Sequence, residues 1–120
     1  MNKIYLFVIA FLLIGCTAES PEIQFESLLD SEWSKIVEDN PVYASSMGDL
    51  SRNTEWSDTS VENIYLDHQH NLDILNQLKE LDVANFSEDN KVNYSLFKKQ
   101  YENSIEAHEY KTYLIPFSHR

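Results

Sequence analysis

Cysteine is nearly absent from this chain of 120 residues, and the single one, Cys16, can form no internal disulfide. Glycine is almost as scarce. Gly15 and Gly48 are the only two, so neither a glycine-rich dinucleotide loop nor a P-loop can be built. The three prolines, Pro21, Pro41 and Pro116, fall between candidate elements rather than inside them. Basic side chains are few as well: 9 Lys and Arg stand against 20 Asp and Glu, a net charge of −11. That balance argues against nucleic acid and against an anionic lipid surface, since both select basic patches. The acids are spread along the chain rather than blocked together, which is the pattern of solvated helix faces. There is no internal repeat, and no G-x-S-x-G elbow for a serine nucleophile.

What is present begins with Met1-Asn2-Lys3, a positive start, and an almost purely apolar run from Ile4 to Ile14. This is the layout of a secretory signal. As a helix the run spans roughly 16 Å, about half of a bilayer core and too short for a permanent crossing. The Leu13-Ile14-Gly15-Cys16 ending resembles a bacterial lipobox, in which the cysteine thiol is lipidated and the preceding segment removed. Lipidation would also remove a lone thiol that is a liability in an oxidising compartment. The expectation is a signal peptide over residues 1–15, lipidation at Cys16 and a flexible tether over residues 16–22. The membrane is then a partner through the lipid on Cys16, with more than one acyl chain needed for durable anchoring. Thr17 rather than Asp follows the cysteine. The expected location is therefore the periplasm-facing cell envelope, on the outer membrane where a bacterium has two.

Residues 23–120 read as all-α. Phe25, Leu28, Leu29, Ile36 and Val37, with Trp33 between them, recur at helical spacing, while Glu26, Asp30, Glu32, Lys35 and Glu38 fill the other side. Pro41 ends this helix and opens a short helical turn through Met47, stopped by Gly48. Thr59-Ser60-Val61-Glu62 fits a capping box with Thr59 as the cap. Behind it Val61, Ile64, Tyr65, His68, Leu72, Leu75 and Leu78, widened by Leu66, Ile74 and Leu81, form a stripe. Ser87 reads as the next cap, with Phe86 as a staple, and Val92, Leu96, Phe97, Tyr101, Ile105 and His108 mark the buried side of a third helix ending near Tyr113. Aromatic residues at these spacings, Trp33 and the tyrosines among them, read as core. The stripes are wider than two neighbouring helices cover, and Leu114-Ile115-Pro116-Phe117 reads as the entry to another element. The expected fold is thus three amphipathic helices and a short helical turn, the opening part of a larger, mostly helical structure.

One order of motifs is distinctive. Pro41-Val42-Tyr43-Ala44-Ser45-Ser46-Met47-Gly48-Asp49 is followed by Trp56-Ser57-Asp58-Thr59-Ser60, then Phe86-Ser87-Glu88-Asp89 and Asn93-Tyr94, and finally Leu114-Ile115-Pro116. This succession resembles the start of the bacterial domain of unknown function 885 family, across nearly everything after Cys16. The resemblance implies exported or lipid-anchored, mostly helical proteins that resemble zinc metallopeptidases. Their His-Glu-x-x-Pro-Gly-His helix would lie far downstream of the part matched here, and that motif is absent from this sequence. The resemblance therefore carries over no catalytic residue and no metal ligand, and zinc is expected only in a full-length relative.

The remaining candidates for chemistry read as structural. A metallopeptidase helix needs two histidines one turn apart; His108-Glu109 begins that way, but Thr112 stands where the second would be. His68 and His70, two residues apart on a helix, point roughly 200° from each other and cannot share an ion, so they read as surface side chains. His119 lies beyond the last apolar residue. Glu88-Asp89 falls in a first helical turn, where negative charge is favourable. The expected function is an inactive scaffold part of a metallopeptidase-like lipoprotein, with a missing C-terminal region as its partner. The alternative is a complete small helical lipoprotein that binds an envelope protein.

Overall fold

The computed structural model describes residues 19–115. Cys16, the expected signal peptide and His119 lie outside the described residues. Within them the chain is all-α, with no strand. The first helix, α1 (Pro21–Asp39), starts two residues earlier than the apolar pattern alone indicates. Ser20 caps it by accepting from the Ile23 N–H at 3.3 Å, Pro21 takes the first helical position, and Glu22 adds negative charge to the first turn. Pro21 and Glu22, read from sequence as part of the tether, belong to the helix.

Pro41 excludes helical torsions at Asn40 (φ −123°, ψ 76°), and the Asn40 amide satisfies the freed end of α1 by donating to the Ile36 carbonyl at 2.8 Å. The short α2 (Pro41–Ser46) follows, packed on α1 through the edge-to-face pair Trp33–Tyr43 with centroids 6.0 Å apart. Gly48, at φ +101°, stops it in the left-handed region that a glycine adopts at little cost.

Two long helices then form an antiparallel hairpin, α3 (Val61–Glu80) and α4 (Glu88–Glu109). The α3 cap is Ser60, whose hydroxyl accepts from the Asn63 N–H at 3.2 Å, not the expected Thr59. Asp58 explains the shift: its carboxylate accepts from the Ser60 N–H at 2.8 Å and sets the turn one residue later. Ser87 caps α4 as expected. Phe86, however, does not staple along its own helix, where Lys91 is the residue it would meet. It turns inward onto Phe25 and Tyr94, with centroids at 5.6 and 6.1 Å. The third long helix ends at Glu109 rather than near Tyr113. Lys111 takes a left-handed conformation (φ 53°), Thr112 hydroxyl donates to the Ala107 carbonyl at 3.1 Å, and a single 3-10 turn over Thr112–Leu114 follows.

The core lies where α1 crosses the hairpin. Phe25 and Leu78 are completely buried, with Ile74, Leu75, Phe86 and Tyr101 around them and Leu28, Leu29, Phe97 and Ile105 at the margin. Each fully buried large apolar side chain stabilises by about 1.5–3 kcal/mol. Polar contacts fix the register at the starts of α1 and α4. Glu22 Oε1 accepts from the Ser87 N–H (2.9 Å), the Ser87 hydroxyl (2.6 Å) and the Asn90 amide (2.8 Å). The Ser87 bonds, then that from Asn90, hold the Glu22 carboxyl below its usual range.

Much of what reads as stripe is not covered. Val61, Tyr65, Leu66, Val92 and Leu96 are all exposed, and so are Trp33 and Trp56, the latter at 85 %. The reason is geometric. Only α1 crosses the hairpin among the described residues, and its apolar face is narrower than the two stripes together. Trp33 thus lies outside the core that its spacing suggests.

Candidate functional site

The feature that the sequence pattern misassigns most is Glu32. It is read as part of the polar side of α1, yet it is only 5 % exposed and is the one buried charged residue among the described residues. It sits two helical turns after Phe25, so both side chains leave α1 on the same face. That face also carries Leu28, Leu29 and Ile36, and the chemistry of Glu32 conceals its membership.

Glu32 joins all three long helices. Its Oε2 accepts from the Tyr101 hydroxyl of α4 at 2.6 Å and lies 2.8 Å from Nε2 of His70 on α3. An ionised carboxylate can only accept, so the His70 Nε2–H donates and its tautomer is fixed by this contact. His70 is therefore a half-buried tie between helices rather than a free surface side chain, its side chain 31 % exposed. Taking a carboxylate out of water costs several kcal/mol unless partners compensate, and here two donors do so.

Above this triad opens a polar cleft of about 270 Å³. Asp39, Asp58 and Asp67 bring further carboxylates to its walls, together with Asn63, Asn71 and Gln100. Lys35 is tied to Asp39, and that hydrogen bond raises its ammonium pKa. Hydrogen bonds from Ser60 hold the Asp58 carboxyl low. Asn63 donates to the Asp58 carbonyl at 3.0 Å and to Asp67 Oδ2 at 3.2 Å.

Tyr101 responds to the same surroundings. Burial first, then the hydrogen bond to Glu32 and its negative charge, push the phenol well above the usual tyrosine range. A raised pKa in the folded state means that this contribution to stability is complete below the ordinary tyrosine value near 10 and is lost as pH rises above it. An absorbance titration should therefore show a hydroxyl that ionises only as helicity is lost. In Tyr101→Phe that coupled step should vanish; its persistence would mean that Tyr101 is not the protected group.

His68 and His108 meet elsewhere, across the α3–α4 seam. Their rings stack at 3.9 Å with planes 10° apart, Tyr113 lies 5.3 Å beyond, and His68 Nδ1 is buried without a partner. His108 is thus a helix-seam histidine, as its place in the stripe indicates. His68 and His70 turn to different neighbours, in line with the 200° between them.

Among the described residues, no three His, Cys, Asp or Glu side chains converge closely enough to hold a metal ion. Nor is any described helix long and apolar enough to cross a membrane. Compared with models of protein families, with curated proteins and with solved structures, the chain matches none.

Proposed function

We propose that the chain is an exported lipoprotein, anchored to the periplasmic face of the envelope through acyl chains on Cys16. Its helices, from Pro21 onward, serve as a scaffold in a metallopeptidase-like protein and have no hydrolytic activity alone. The observation that carries the scaffold reading is the apolar surface left uncovered on both long helices: Val61, Tyr65 and Leu66 on α3, Val92 and Leu96 on α4. Scattered exposed apolar residues are ordinary, but here they belong to the same stripes that supply the core, which suits burial by further polypeptide. The order of motifs from Pro41 to Ile115 supports the same family context.

The scaffold reading expects the coding sequence to run on in frame beyond Arg120 to a His-Glu-x-x-Pro-Gly-His stretch. A stop codon there, with a product that melts cooperatively as a clean monomer, would overturn it. The anchor is tested separately. Cys16→Ser should abolish incorporation of labelled palmitate and leave the protein unprocessed or released; label still appearing on the variant would sink the lipid reading.

A second reading, a small envelope lipoprotein that acts as an interaction module, is favoured by the polar cleft over Glu32. A built polar cavity suits a binding role of its own.

A further inference from the structure

We propose that the stacked imidazoles of His68 and His108 form a proton-gated clasp at the open end of the hairpin. It holds the last turn of α4 and the 3-10 turn on α3, and releases them when both rings carry a proton. The proposal stands apart from the anchor and the scaffold, since it concerns only how α3, α4 and the turn meet.

The first observation is a buried nitrogen. His68 Nδ1 is shielded from solvent and has no hydrogen-bond partner among the described residues. A neutral imidazole has one nitrogen without hydrogen, and Nδ1 can be that atom at modest cost. The cation carries N–H on both nitrogens. A charged donor would then be enclosed with no acceptor, which the closed seam does not tolerate. For His68 to take up a proton, its ring has to leave the stack.

The second observation is the neighbour. The His108 ring lies at 3.9 Å with planes 10° apart, so two protonated rings would face each other as like charges. A single proton is tolerated, and His108 is placed to carry it. It stands in the last turn of α4, where the helix dipole favours positive charge. The Tyr113 ring of the turn lies 5.3 Å away, and the Asp67 carboxylate of α3 borders the same cavity. Glu106, Glu109 and Lys111, the charged groups flanking His108 along the chain, are all exposed. The clasp therefore resists the second proton, not the first.

The third observation is room to open. A cavity of about 250 Å³, bordered by Ile64, Asn71 and Ser104, adjoins the pair. The released segment is a single turn, joined to α4 through the left-handed Lys111 and held by Thr112 on the Ala107 carbonyl. His70, the remaining described histidine, lies 2.8 Å from Glu32 Oε2. Charging it strengthens the tie in the middle of the bundle, so the loosening stays at one end.

The test is a magnetic resonance titration of the full chain, isotope-labelled and held in a non-ionic detergent. It runs from about pH 8 to about pH 5, the range in which imidazoles charge. Contacts between the His68 and His108 ring protons should be present at the upper limit and lost at the lower. The amides of Tyr110, Lys111 and Leu114 are hydrogen-bonded in the closed state. Corrected for the intrinsic rate, their exchange should quicken about fivefold or more at the lower limit. Leu75 and Leu78 should keep their protection. His68→Phe keeps a ring in the stack without a nitrogen to charge, and should abolish the change. If that variant fails to fold, Asp67→Asn decides: with the facing carboxylate gone, release should move to higher pH. Ring contacts that survive throughout, a change that persists in His68→Phe, or a release unmoved by Asp67→Asn would each overturn the proposal. So would protection lost at Leu75 and Leu78 together with the turn.

Discussion

Phe25→Ala is expected to cost about 3–5 kcal/mol and to detach α1 from the hairpin. Phe25 is completely buried, and its ring meets those of Phe86, Tyr94 and Phe97 at 5.6, 5.7 and 6.2 Å. No neighbour is placed to fill the space, because Leu28 and Leu29 leave the same helix further along and already pack on the core margin. Natural domains are stable by only about 5–15 kcal/mol, so the loss is a large fraction of the total. The melting temperature should fall by at least about 12 °C. Amide protection should drop over residues 21–39 before it drops over α3 and α4, whose seam does not include Phe25. A variant that melts within about 2 °C of the parent, with α1 still protected, would show that α1 is held by other contacts.

Glu32→Ala is the second large effect, and its origin is different. The substitution leaves the Tyr101 hydroxyl and the His70 Nε2–H without their acceptor and opens a void beside Ile36. Each buried donor left without an acceptor costs about 1–3 kcal/mol, and the partial exposure of His70 lowers its share, so the expected loss is about 2–4 kcal/mol. Replacing the whole set with Glu32→Leu, His70→Leu and Tyr101→Phe together should be far milder, since no polar group is then stranded. Chemical denaturation of the single and triple variants checks this. A triple variant as unstable as Glu32→Ala would mean that the polar contacts themselves, and not the stranding of their partners, hold the helices together.

That contrast also bears on why Glu32 is there. An apolar residue there, with positions 70 and 101 made apolar as well, would extend the face already made by Phe25, Leu28 and Leu29 and strand no donor. On this expectation stability alone does not require a carboxylate at this position. A role in fixing how α1 sits on the hairpin, or in the chemistry of the cleft, accounts for it better.

The helices themselves were legible. Period-3.6 spacing and the breaks at Pro41 and Gly48 locate α1, α2, α3 and α4, because these signals act within a few residues of chain. Ser87 was legible as a cap for the same reason. The misplaced details are the ones that depend on a competing local bond or on distant partners. Thr59 yields to Ser60 because Asp58 organises the turn, and the third helix stops at Glu109 because Lys111 turns left-handed.

Burial was less legible than helicity. A stripe says which side chains share a face, but not whether anything crosses that face, so Val92 and Leu96 read as core and are exposed. Glu32 is the opposite case. Its angular position alone placed it with Phe25, and that signal was available two turns away; what hid it was the assumption that charge marks the outer side. The pairing with Tyr101 and His70 spans 69 and 38 residues of sequence and has no local signature.

Metal content and peptide cleavage, measured together on the purified full chain, test most directly whether hydrolysis lies outside these helices. After exposure to zinc and removal of the excess, the account predicts well under one zinc per chain and oligopeptides left intact. One tightly held zinc per chain, with cleavage that a chelator abolishes, would contradict it.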